Sequence, residues 1–451
     1  MTSDVRAPTG QGPIGVSVEQ RDARTHATGK TVYVDDVQLP GLAHLVAARS
    51  PHPHALIRSI DLSEAEKVPG FIRAFTAADV PKNIYTILGL IGFGLDEERA
   101  LCDERVRYVG EPIVAVVGET RAAASEAAKL VRIEYEVLTP VFDVEEALAP
   151  GAPAVTEWGI NAFDFDGRPF RQVRLGDVDA AMATADHIVE GRYQMSPIEH
   201  APVETTGCVV RPEPDGRFTV WTNTQALNMS LDLTAHILQI PTRRLHFIGG
   251  TVGGGFGGKV DGMVEPLATL AAWRLGRPVK YVYSRDEEMV VSSTRNGVRI
   301  YMSDGVTNDG IIVARRVRSY VDCGAYSRHT PYAVNKHAAN LGGPYYIPNA
   351  SFDIHCVYTN RQPSSAMRGF GVTEASFAME IQMDRIAELT GLDPWTVRFR
   401  NAYHDGDLRP HRKPVEDATL IEAMQATARL VGHKLSPELL AMSSKTREVA
   451  P

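Results

Sequence analysis

Between Gly249 and Lys259 the chain reads GGTVGGGFGGK, seven glycines in eleven residues. Glycine loses more backbone freedom on folding than any other residue and offers no side chain to pack. Such a density therefore marks main chain that must take positive φ or lie close against a ligand. The apolar run Leu245 to Ile248 leads in as a strand would, and a helix is expected from about Met263. Each reading of this loop makes its own demand. A nucleotide-hydrolysing GxxxxGK loop needs a hydroxyl next, to hold magnesium; Gly253, Gly258 and Lys259 match, but Val260 follows. A dinucleotide loop would use Gly253, Gly255 and Gly258 as GxGxxG and expects an acid about 20 residues on. There the chain carries RPVKY around Pro278, and the nearest candidate acid, Asp286, comes late. A flexible loop with no ligand makes no demand at all.

A further reading rests on residues outside the loop. VRYVGEPIVAVV (Val106 to Val117), WTNTQ (Trp221 to Gln225), GGGFGGK (Gly253 to Lys259) and AMRGFG (Ala366 to Gly371) occur in this order. Together they resemble the molybdenum-binding subunit of the xanthine dehydrogenase and aldehyde oxidase family, over residues 14 to 430. GGGFGGK with a downstream RGFG is the specific part.

At 451 residues, 44% apolar and 23% charged, the chain is large enough for two or three domains. A net charge of −8 without a basic stripe argues against a nucleic-acid partner and for a small substrate. Cys102, Cys208, Cys323 and Cys356 are scattered with no CxxC. They read as buried apolar thiols, so this chain is expected to hold no iron–sulfur cluster and no structural zinc. The N-terminal MTSDVRAPTGQGPIG has no apolar core or twin arginines, and no window of eighteen apolar residues occurs. A cytoplasmic protein with no membrane partner is the expectation.

The pattern predicts an α+β fold in four stretches: a flexible lead-in over 1–17, an N-terminal unit over 18–145, a larger unit over 146–435, and a polar tail over 436–451. RAAASEAAKL (Arg121 to Leu130) is helical and runs into the alternating strand VRIEYEV. The resemblance makes the first unit an α/β hammerhead-like domain and the second a molybdenum-cofactor-binding domain. Phe93, Gly94 and the apolar Ile87 to Leu95 look exposed enough to face a partner subunit. Asp177 caps a helix that leads to a strand, and Thr224 is a candidate cap for LNMSLDLTAHIL. Val264, Leu267, Leu270, Ala271 and Leu275 fall on one face of the helix after the loop, which Gly276 ends. Asn308-Asp309-Gly310 signals a hairpin. From Asp322 the chain reads as irregular to about Tyr346, and Thr373 reads as the cap of a helix that Gly391 ends.

The resemblance assigns roles residue by residue. Gln225 precedes Phe256 by 31 positions (256 − 225), the interval of the family's glutamine that donates to an oxygen on molybdenum. Gly254, Gly255, Phe256 and Gly257 on one loop, and Met367, Arg368 and Gly369 on the other, would hold the cofactor. Gln225, Phe256 and Arg368 would stand in the metal's vicinity without ligating it. The ring of Phe370 would cover one face of the substrate. His200 reads either as a structural histidine or as a catalytic one, and Glu204 as an acid that braces the site; Val203 and Thr205 depart from the family's HxPME-proline pattern. Purine-hydroxylating relatives place a glutamate where this chain has Val260, and an arginine where it has Lys336, eleven positions before Ile347 (347 − 336). Both changes argue against xanthine. Lys336 is either a solvated surface residue or a partner for the carboxylate of a heteroaromatic acid such as nicotinate. AMRGFG has no cysteine, against carbon monoxide oxidation.

The implied reaction inserts water-derived oxygen at an electron-poor carbon of a small N-heterocycle or an aldehyde. The implied cofactor is molybdenum with molybdopterin, in its cytosine dinucleotide form. No GxGE-like segment follows Arg368, so the base glutamate is expected on a second molybdopterin-binding subunit. A small [2Fe-2S] subunit and an FAD subunit would carry the electrons. The rival functions are a pyridine-nucleotide dehydrogenase using GxGxxG and a non-catalytic scaffold.

Overall fold

The computed structural model describes residues 17–262 and 264–445. The expected lead-in therefore lies outside the described residues except for its last position, as do residues 446–451 of the expected tail and Met263.

Two sheets organise the chain. The first has seven strands in the spatial order Leu245–Gly249, Phe218–Thr222, Gly207–Pro212, Val279–Val282, Ala43–Arg49, Pro112–Gly118 and Phe71–Phe75. It crosses the boundary expected near residue 145. Ala43 pairs with Val279 and His44 with Lys280, in parallel. Ala115 and Val117 from one side share a core with Val210, Val220 and Leu270 from the other. Period-two alternation reports which face of a strand is apolar but not which strand lies beside it, so this union is invisible in sequence. A three-stranded sheet of Arg105–Val106, Ala55–Asp61 and Arg132–Val137 and a two-stranded one of Ile84–Tyr85 and Glu98–Arg99 complete the N-terminal part. Its neighbouring helix Arg121–Leu130 is capped by Thr120, which accepts from the Ala123 N–H.

The second large sheet has five strands, His187–Met195, Gly297–Val306, Ile312–Gly324, Ala350–Tyr358 and Arg171–Leu175. The hairpin at Asn308-Asp309-Gly310 forms as expected, with Gly310 at φ +76°. Helices Thr330–Asn340 and Val372–Thr390 lie over this sheet, and Val334, Ala338, Ala378 and Met383 fill the layer between. Inside it the fully buried Arg315 binds Asp304 through Nε at 2.7 Å and Nη2 at 2.9 Å.

Several local expectations fail for identifiable reasons. Thr224 does not cap the helix Leu227–Leu238: the cap position is Ala226, whose N–H donates back to Thr224 Oγ1. Thr373 does not cap either, because Gly371 occupies the cap of Val372–Thr390 at φ +85°. The stretch 322–346 is not irregular throughout; Pro331 near its start suits a helix N-terminus, and Thr330–Asn340 is helical. The helix Glu265–Leu275 is buried all round from Glu265 to Ala272, not along one face. Ile87 and Leu88 are core residues and Phe93 packs on Phe163, so of the large apolar side chains from 87 to 95 only Ile91 and Leu95 are well exposed, while Gly94 is exposed as expected. The expected tail begins instead with the helix Pro437–Ala441, whose Leu439 is buried beside Phe399 and Ile421.

Candidate functional site

The glycine loop leaves the edge strand Leu245–Gly249 and is gripped from inside. Glu204 Oε2 accepts from the Gly253 N–H at 2.7 Å, and the Glu204 N–H donates to Gly253 O at 2.9 Å. The same carboxylate takes the Lys259 ammonium at 3.1 Å and the Val34 N–H at 3.3 Å. Glu204 thus braces the loop, as its position suggested. The Lys259 side chain is only 1% exposed. Burial lowers its pKa while Glu204 opposes the fall. A phosphate-cradling loop needs that lysine turned outward, so the nucleotide-hydrolysis reading fails on geometry.

Between these anchors the main chain takes unusual conformations: Gly254 at φ +98°, Phe256 at φ +52° and Gly257 at φ +102°. A phenylalanine there stores about 1–3 kcal/mol of strain, and the residue is 49% exposed. Gln225 locks the loop. Its Oε1 accepts from the Gly257 N–H at 2.9 Å and the Lys259 N–H at 3.3 Å. Two backbone donors require the accepting atom to be oxygen, which fixes the amide orientation. The Nε2 group of this exposed residue donates to no acceptor among the described residues. Gly255 must be glycine for this packing, since a Cβ there would lie 2.5 Å from Gln225 Cδ.

The second loop meets the first directly. The Arg368 N–H donates to Phe256 O at 2.9 Å, and a Cβ on Gly257 would lie 2.6 Å from Ala366 O. His200 Nε2 donates to Ala366 O at 2.9 Å, and its ring packs where a Gly258 side chain would stand. This is a strut, so the structural reading of His200 holds in this geometry. Arg295, which sequence reasoning missed, donates to Arg368 O at 2.7 Å and pairs with the buried Glu374 at 3.2 Å. Nothing in the local pattern of SSTRNG marks it. Gly369 at φ +99° and Gly371 at φ +85° admit Thr373 and the Ala333 carbonyl to contacts that no side chain would allow.

Of the seven residues expected to hold a cofactor, Gly257 spends its N–H on Gln225 Oε1 and Arg368 spends its N–H joining the loops. Those of Gly254, Gly255, Phe256, Met367 and Gly369 donate to no acceptor among the described residues. They border one seam, beside the free Gln225 amide. Phe370, at φ +46°, lies beyond it with its ring 5.9 Å from that of Tyr332. Lys336 follows one helical turn later, exposed, with Nζ 5.9 Å from the Tyr332 ring. The i, i+4 spacing of Tyr332 and Lys336 was readable only once the segment was known to be helical. Val260 is half-buried at the loop's exit. No group of His, Cys, Asp or Glu among the described residues is placed to hold a metal.

Two glycine turns hydrogen-bonded to each other, with main-chain donors along the seam, define a cradle for a large anionic cofactor approached closely by backbone. Residues 164–402 match the molybdopterin cofactor-binding domain and residues 28–139 the aldehyde oxidase and xanthine dehydrogenase a/b hammerhead domain. The chain is 31% identical to the nicotinate dehydrogenase large molybdopterin subunit of Eubacterium barkeri, over 93% of this chain and 98% of that one. It is 33% identical to a probable xanthine dehydrogenase subunit of Bacillus subtilis, over 86% of this chain but 51% of the relative. Quinoline 2-oxidoreductase from Pseudomonas putida superposes with a TM-score of 0.86 at 28% identity, covering 94% of this chain and 55% of that one. The chain belongs to the molybdopterin-binding subunits of the xanthine dehydrogenase and aldehyde oxidase family of molybdenum enzymes. It spans about half the length of several relatives and nearly all of the Eubacterium barkeri protein. The pyridine-nucleotide reading of the loop falls with that assignment. The four cysteines are buried and unpaired.

Proposed function

We propose that this chain is the cofactor-holding part of a multi-subunit hydroxylase acting on a small N-heterocycle, nicotinate-like, or on an aldehyde. The observation that carries the reading is the hydrogen bond from Arg368 N–H to Phe256 O, which closes two distant glycine turns around one seam. When bound, a pterin-held molybdenum supplies a Lewis-acidic centre able to take two electrons. The free N–H groups of Gly254, Gly255, Phe256, Met367 and Gly369 hold its anionic ligand. Gln225 Nε2 donates to oxygen at the reacting centre, its own carbonyl pinned so that no reorganisation is needed. Phe370 and Tyr332 form an aromatic wall against a planar ring and exclude water there. Lys336 supplies the cation for a ring carboxylate, and Val260 leaves no polar group for a purine to bind.

The cofactor is the cytosine dinucleotide form, and a second molybdopterin-binding subunit contributes the glutamate that accepts the proton. A small [2Fe-2S] subunit and an FAD subunit take the electrons, in the cytoplasm. The relatives named nicotinate dehydrogenase and quinoline oxidoreductase support this substrate class. Purification of the native complex, with molybdenum and pterin measured per chain and dye reduction followed across heterocycles and aldehydes, tests the reading. A complex without molybdopterin refutes it, and turnover of neither substrate class refutes the substrate assignment.

A further inference from the structure

One carboxylate at the exit of the first loop ties it to the second loop and to the helix that carries Tyr332 and Lys336. Asp261 follows Val260 at the exit of the first loop and is buried. Its Oδ1 accepts from Ser365 Oγ at 2.8 Å and from His329 Nδ1 at 2.8 Å, and its Oδ2 lies 3.6 Å from Arg328 Nη1. The partners come from different pieces of the chain. Ser365 opens the second loop, immediately before Ala366. His329 is the cap residue of the helix Thr330–Asn340, which carries Tyr332 and Lys336. Arg328, held at φ +40°, also pairs at 2.7 Å with Glu98 of the N-terminal part.

We propose that Asp261 is the positioning residue of the site, holding the first loop, the second loop and the substrate-side helix in one register. The proposal rests on the molybdopterin reading of the cradle. It requires a carboxylate because every partner is a donor: Oδ1 takes a hydroxyl and an imidazole N–H while Oδ2 faces a guanidinium. An asparagine of the same shape keeps one accepting oxygen and turns an NH₂ group toward a donor. Burial alone would raise the Asp261 pKa, but the His329 hydrogen bond, with the charges of His329 and Arg328, holds it at about 2. The group is therefore ionised wherever the enzyme works.

The consequence is kinetic. Gln225 is fixed to the first loop and Phe370 to the second, so a slip between loops displaces the oxygen donor relative to the aromatic wall. A displacement on the order of 1 Å costs about 100-fold in rate.

The test uses the assembled complex carrying Asp261→Asn. Molybdenum and pterin per chain are expected within about twofold of wild type, since the main-chain cradle remains, while turnover per molybdenum falls about 10–100-fold. The molybdenum paramagnetic resonance signal of the reduced enzyme is expected to change shape. Ser365→Ala removes one arm and should lower turnover about fivefold, the equivalent of one hydrogen bond; it also serves if Asp261→Asn does not assemble. Unchanged turnover per molybdenum and an unchanged signal in both variants would overturn the proposal. So would loss of cofactor and melting temperature together with unaltered turnover per remaining molybdenum, which marks a merely structural residue. Absence of molybdopterin from the wild-type complex would instead sink the functional reading itself.

Discussion

Gly257→Ala tests the seam between the loops most directly. Gly257 sits at φ +102°, where a side chain costs about 1–3 kcal/mol. Its Cβ would stand 2.6 Å from Ala366 O, 2.8 Å from Ala366 C and 3.1 Å from Met367 Cα. All three atoms are backbone and cannot swing aside, so overpacking adds about 1–3 kcal/mol if nothing moves. The alternative is to part the loops. That breaks the bond from Arg368 N–H to Phe256 O, worth about 1 kcal/mol net. Parting is the cheaper route, so the variant should lose about 2–4 kcal/mol and open the seam. If half of that strain falls on the cofactor-bound state, affinity drops on the order of 10-fold. Gly250→Ala is the control: it lies in the same loop, with no positive φ and nothing within 4 Å of its Cβ. The assay is molybdenum by mass spectrometry and pterin by fluorescence, per chain of purified complex, beside thermal melting. Full cofactor content and turnover in Gly257→Ala would refute the reasoning. So would equal damage from Gly250→Ala.

Gln225→Glu keeps an oxygen for the Gly257 and Lys259 N–H groups but removes the outward NH₂; turnover per molybdenum should fall about 100–1000-fold with cofactor retained, and wild-type turnover would exclude donation by Nε2. Asp304→Ala strands the fully buried Arg315 and should cost about 3–5 kcal/mol in denaturant melts, whereas replacing both with apolar residues should restore most of the loss. Burial lifts the Glu97 carboxyl to about 7, against the pull of its bonds from Ser327 and Tyr358. The unfolded chain gives up this proton first, so stability is highest below pH 4.5 for this group and declines until about 7. The decline is about 3 kcal/mol at 1.4 kcal/mol per unit. Wild type should thus lose stability relative to Glu97→Gln between pH 5 and pH 8 in urea melts, and parallel pH curves would contradict the assignment.

Residue identity carried the local elements far. The alanine-rich helix ends at Leu130, the hairpin turns at Gly310, and Gly276 and Gly391 end their helices in the left-handed conformation. These features follow from capping, turn chemistry and glycine's freedom, which act over a few residues. Expectations failed where a neighbour distant in the chain decides. Thr224 and Thr373 look like caps, yet their hydroxyls serve Lys259 O and Arg368 O. Ile87 and Leu88 read as a sticky surface until the shared core is built around them.

What the sequence by itself determined is the kind of site: two glycine-rich turns of positive-φ backbone, and a glutamine at the interval to use them. Only the tertiary structure decided which donors remain for a ligand. Gly257 and Arg368 look equivalent to their neighbours in one dimension, but the folded chain spends the Gly257 N–H on Gln225 and the Arg368 N–H on closing the seam. It likewise brings Glu204 and Arg295 in from remote segments to brace the two loops, and Ser365 and His329 to Asp261. The reason is physical. Backbone conformation is a property of a residue and its immediate neighbours, whereas a hydrogen bond is used up by whichever partner the fold delivers first.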